Sequence, residues 1–103
     1  MAVDVSLYRV EQPGTSPRRR KLILLGSYSD HGDLFAEACA ATSLPMLARV
    51  KPYGSLMLLS ADMEQFVDEL RELQLDPSVK EEILALARVC AADRDTELHL
   101  DGD

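Results

Sequence analysis

Chemistry has few places to reside in this sequence. The segment Gly26-Ser27-Tyr28-Ser29-Asp30-His31-Gly32-Asp33 gathers hydroxyl, carboxylate and imidazole groups where a strand is expected to pass into a helix, a position at which backbone N–H groups point toward ligands. It lacks the glycine spacing and lysine of a phosphate loop, and Asp30 and Asp33 would oppose an anion. Ser29, Asp30 and His31 are the residue types of a hydrolytic triad. Neighbours along one turn point apart, however, and cannot form the serial hydrogen bonds of that mechanism. The simpler expectation is a polar turn whose aspartates cap the following helix.

Glu97, His99, Asp101 and Asp103 alternate along the C-terminal segment. Residues two apart on a strand share a face, so Glu97 and His99 could offer an oxygen and a nitrogen to one divalent cation. A catalytic zinc usually needs three protein ligands and a structural one four, so His31 or Asp33 would have to converge on the pair. The expectation is therefore a solvated strand face, with no metal, no cofactor and no catalytic residue assigned. Arg18-Arg19-Arg20-Lys21 is the dense basic cluster. No aromatic residue interleaves it to stack a base, which argues against nucleic acid as a partner and favours residues that balance the acidic helices or keep a sheet edge soluble.

Charge supplies the functional expectation. The chain carries a net charge of −7, and residues 52–103 hold four bases against thirteen acids, a balance of −9. Such a surface repels phosphate backbones and attracts cationic proteins. Within that half, Met63, Phe66, Val67, Leu70 and Leu73 fall on one helical stripe, with Glu64, Asp68, Glu69 and Glu72 read as a carboxylate ridge away from it. Tyr53, beside Gly54 at an expected hairpin tip, adds a contact residue of large area and low entropic cost. The preferred expectation is a small non-enzymatic protein-binding domain, of the kind that serves as an immunity-type inhibitor, regulatory adaptor or accessory subunit, meeting a basic protein surface through Glu64, Asp68, Glu69, Glu72 and Tyr53. The alternatives are a homo-oligomeric structural or small-molecule-binding domain, and an enzyme using His31 or His99 as acid–base catalyst.

The elements that must position these residues follow from periodicity. A length of 103 residues suits one domain, with a flexible basic loop expected near residues 11–20, where Pro13, Gly14 and Pro17 break regular structure. Val3 to Val10 alternates as a half-buried strand, and Leu22-Ile23-Leu24-Leu25, apolar on both faces, suggests a central strand. A helix should begin near Asp33 and stop before Pro45. Met46 to Lys51 and Ser55 to Leu59 read as a hairpin around Pro52-Tyr53-Gly54. Helices over 60–75 and 77–92 follow, the second opened by Asp76-Pro77, and Thr96 to Leu100 makes a short strand expected at a sheet edge. The order ββαββααβ implies an α+β fold, a mixed or antiparallel sheet with helices packed on one face. Cys39 and Cys90 sit in helical patterns and are expected as buried thiols. No apolar run is long enough to span a bilayer, and the N-terminal residues show no leader pattern, so a cytoplasmic location without membrane contact is expected.

Overall fold

Alternation sets the sheet. In strand β1, Val3–Glu11, the side chains of Val3, Val5 and Leu7 are buried while Asp4, Ser6 and Tyr8 take the other face. In the last strand Leu98 and Leu100 lie opposite Leu7 and Val5 on the buried face. The computed structural model describes residues 2–11 and 20–102. Four antiparallel strands form one sheet: β1, then β2 over Lys21–Tyr28, β3 over Ser55–Leu59 and β4 over Thr96–Gly102, in spatial order β2-β1-β4-β3.

Three helices cover one face: α1, Leu34–Ala41; α2, Met63–Glu72; and α3, Pro77–Ala92. Their buried residues Phe35, Phe66, Leu70, Ile83, Ala87 and Cys90 close a single core with Val5, Leu7, Leu58, Leu98 and Leu100. Burying one such leucine or phenylalanine contributes about 1.5–3 kcal/mol, so this layer holds the fold. The α+β class and the one-sided helical layer agree with the sequence expectation.

Capping places the helices. The Asp30 carboxylate, itself buried, accepts hydrogen bonds from the N–H groups of Phe35 and Ala36 at 2.9 Å each and from Val3 at 3.1 Å. One side chain thereby fixes both the start of α1 and the start of β1. The chain reaches α1 through left-handed Gly32 (φ 73°) and Asp33 (φ 58°), a conformation that glycine and aspartate tolerate best. At α3, Asp76 accepts from the Ser78 N–H at 2.8 Å ahead of Pro77, the capping arrangement expected from the sequence. Ser60 does not cap α2. Its hydroxyl donates to the Ala91 carbonyl, and a short 3-10 turn, Ser60–Asp62, precedes the helix instead.

Three local expectations are corrected. Met46 to Lys51 is not a strand: Leu47–Arg49 is a 3-10 turn, because the backbone N–H groups of Met46 and Leu47 are taken by the Glu69 carboxylate rather than by a neighbouring strand. Strand β3 consequently pairs with β4 alone. The run Leu22 to Leu25 lies on an edge strand, not a central one, whereas β4, expected at an edge, is central between β1 and β3. Of the expected flexible loop near 11–20, residues 12–19, including Arg18 and Arg19, lie outside the described residues; Glu11 ends β1 and Lys21 begins β2.

Candidate functional site

The face of the sheet away from the helices is the most chemically varied surface of the described residues. Strand register places its side chains in rows. Leu24, Tyr8, Glu97 and Leu59 form one row across the four strands, and Ser27, Ser6, His99 and Met57 form the next. Leu22 lies opposite Val10 at one end, and Asp4, Asp101 and Ser55 lie at the other.

At the centre of this open face, Glu97 is only 7% exposed. A carboxylate on an open sheet face is buried only if neighbours shield it, and two of them bond to it. The Arg20 guanidinium is hydrogen-bonded to Oε2, and the His99 Nε2 lies 3.0 Å from Oε1. The Tyr8 ring packs on the His99 ring with centroids 4.8 Å apart and planes tilted by 59°. Because the Arg20 side chain is 39% exposed, solvent screening holds its ion pair to about 0–1 kcal/mol. The row is ordered by packing more than by Coulomb attraction. Around it lie apolar side chains left in solvent, Leu22, Leu24, Met57 at 48% and Leu59 at 46% exposure. A depression of about 650 Å³ runs between Arg20, Met57, Leu59 and the 94–97 segment.

His99 and Glu97 have the spacing of a base and its orienting carboxylate, and Ser6 is the cross-strand neighbour of His99. No hydrogen bond joins Ser6 to His99 among the described residues, and without one the serine has no base to activate it. Glu97 and His99 bond to each other rather than converging with a further ligand, and no group of three or more His, Cys, Asp or Glu that could hold a metal occurs among the described residues. His31 stands exposed in the 3-10 turn after β2, away from these rows. In the same segment Tyr28 and Asp30 are committed to structure. The Tyr28 hydroxyl donates to Asp30 at 3.2 Å, and burial, with Asp30 beside it, pushes the phenol up to about 12.

The sequence-predicted binding residues separate into two groups. Glu64, Asp68 and Glu72 are exposed on the outer side of α2, along a shallow groove with Gln65 and Ala61. Tyr53 is 75% exposed in the turn before β3, a turn tied to β4 by the Gly102 N–H donating to Gly54 at 2.8 Å. Glu69 is not part of the ridge. It is buried and receives the N–H groups of Met46 at 2.9 Å and Leu47 at 3.0 Å and the Gln65 amide at 2.7 Å. Burial alone would raise its carboxyl, but these hydrogen bonds together hold it below the usual range. Its position beside Asp68 placed it one step around the helix, toward the core. Sequence reasoning missed Met57 and Leu59 as exposed residues of this face and did not join Arg20 or Tyr8 to Glu97 and His99. Alternation in β1 and β4 signalled a shared face, but nothing local showed that β4 lies beside β1 and gathers these residues.

Comparison with protein-family models, with curated proteins and with solved structures returns no match for this chain.

Proposed function

We propose that the chain is a protein-binding domain whose anchors lie on the open face of the sheet and whose acidic surface draws in a cationic partner. One observation carries this reading: exposed Leu22, Leu24, Met57 and Leu59 flank a central Glu97 already paired with Arg20 and in hydrogen-bond contact with His99. Interfaces draw affinity from a few apolar or aromatic anchors around a satisfied polar centre, and this face offers that pattern. The Glu64, Asp68 and Glu72 ridge belongs to the helical side of the molecule, where it adds to the −7 field that raises encounter rates without supplying anchors.

The test is affinity capture from the native source at low and high salt, using wild type, Met57→Ser/Leu59→Ser, and Glu64→Gln/Asp68→Gln/Glu72→Gln. The expected outcome is one partner held by wild type, lost by the Met57/Leu59 variant, and retained with slower, less salt-sensitive association by the ridge variant. A partner kept by the Met57/Leu59 variant but lost by the ridge variant would move the binding surface to α2.

A further inference from the structure

Among the described residues, the free edge of β2 carries one of the protections that sheet edges normally have, a bulge, and few of the others. It is eight residues long, contains no proline, and bears one charge, Lys21, at its start. Leu22, Ile23, Leu24 and Leu25 are all exposed, between 40% and 56%. The opposite edge, β3, is only five residues long. Unpaired backbone beside apolar side chains on both faces is a template for another strand.

We infer that this edge pairs with the same edge of a second copy, antiparallel about a two-fold axis between Leu24 and Leu25, joining two sheets into one of eight strands. Three features of β2 fit that occupant.

The first is its bulge. Leu7 pairs with Gly26 and Tyr8 with Leu24, so Leu25 is an extra residue. It reverses the alternation of the strand: Leu22, Leu24 and Ser27 lie on the open face, while Lys21, Ile23, Gly26 and Tyr28 lie on the helix face. In a regular strand of eight residues, end-to-end antiparallel self-pairing would set every helix-face residue against an open-face residue. With the bulge, Lys21 meets Tyr28, Leu22 meets Ser27 and Ile23 meets Gly26, each on its own face. The second feature is shape. Leu86 of α3 sits where a Gly26 side chain would project, with its Cδ2 3.0 Å from that position. Ile23 of one copy therefore arrives beside Gly26 and Leu86 of the other, apolar against apolar.

The third feature is charge. Residues 20–29 carry Arg20 and Lys21 and no acid, in a chain of net −7. Two copies meeting along this strand bring no pair of strand carboxylates together. The pairing brings Lys21 to the partner's Tyr28, and the charges of Asp30, Glu82 and Asp4 all act on that phenol. Each copy thus brings a cation toward the side of the other that carries the charges of Glu82 and Asp4. A closed two-fold dimer uses up both edges and stops, as an isologous interface must.

Sedimentation equilibrium from micromolar to millimolar concentration tests the inference. Wild type should approach twice the chain mass, and Ile23→Lys/Leu25→Lys should stay monomeric at every concentration. Lys21→Glu and Glu82→Lys should each weaken association at least tenfold, and the combined Lys21→Glu/Glu82→Lys chain should restore it. Oxidised Leu22→Cys/Ser27→Cys should form a covalent dimer between copies, a readout independent of whether the lysine variants fold. A wild type that stays monomeric throughout, or a dimer indifferent to Ile23, Leu25 and Lys21, overturns the inference. Met57→Ser/Leu59→Ser lies on β3 and should dimerise normally, so failure of the partner reading and failure of the dimer are told apart.

Discussion

Strands β2 and β4 exchange the places that their compositions suggest. Strand β2 holds four large apolar residues in succession and stands at an edge with all four in solvent. Strand β4 alternates Glu97, His99 and Asp101 with leucines and runs through the middle of the sheet. The comparison separates two properties that hydropathy merges. An apolar residue is buried only where a layer exists to cover it, and a charged one is tolerated centrally where neighbours satisfy it. Here the covering layer lies on one face, so the alternating strand fits the centre. The strand that is apolar on both faces is left with surface to hide.

Substitution at equivalent leucines should show the largest difference. Leu98, fully buried in β4, should cost about 2–5 kcal/mol as Leu98→Ala, whereas Leu24→Ala in β2 should change stability by less than about 0.5 kcal/mol. Urea denaturation at concentrations low enough to keep the chain monomeric measures both. Equal losses would mean that β2 is covered within the monomer and would remove the contrast.

The same inversion of type and place recurs within α2. Glu69→Gln should cost about 1–3 kcal/mol, since the buried carboxylate receives the Met46, Leu47 and Gln65 donors. Replacing Glu64, Asp68 and Glu72 together by Gln should leave stability unchanged or raise it by a few tenths of a kcal/mol, roughly what removing like-charge neighbours gives. The pH profile carries a sign. The Glu69 carboxyl is held below its ordinary 4.5, so the folded state binds its proton less tightly than the unfolded chain. Its contribution is whole above that ordinary value and is lost as pH falls through the depressed one. Acid unfolding of Glu69→Gln followed by circular dichroism should be less steep than that of wild type. Identical acid limbs would break the assignment.

A smaller effect belongs to the one buried side chain of β2, Tyr28. Its phenol is raised from 10.0 to about 12 by burial, with Asp30 adding to the shift. The stabilisation from the protonated phenol is therefore complete below pH 10 and fades as pH rises toward 12. Tyrosinate absorbance should show one late-titrating residue that titrates normally in urea. Tyr28→Phe, which removes the hydrogen bond to Asp30, should cost about 0.5–1.5 kcal/mol at neutral pH.

What the sequence made legible was local. The stripe Met63, Phe66, Leu70 located α2, Asp76-Pro77 located the start of α3, and alternation located β1 and β4. What escaped was set by distant pairing. Met46 to Lys51 looks like a strand until Glu69, more than twenty residues on, takes its N–H groups. The cluster of Tyr8, Glu97 and His99 is assembled by the β1–β4 register, which no window of the sequence contains, and Arg20 joins it from just before β2. The carboxylate ridge was legible at Glu64, Asp68 and Glu72 because those positions depend only on helical spacing.

Strand β1 is hydrogen-bonded to β2 on one side and to β4 on the other, with Val3 paired to Gly102. Its first neighbour is made within the opening 28 residues and its second only when residue 102 has been added. At about 5–20 residues per second, that interval is roughly 4–15 seconds of synthesis. Through those seconds the β1 edge that β4 will cover stays unpaired, while the helices that bury Val3, Val5 and Leu7 are still being added. The fold closes from its last strand, so a ribosome that stalls short of Thr96 leaves every helix made but β1 and β3 each without the neighbour that joins them, and a holdase chaperone would find its target at those open edges.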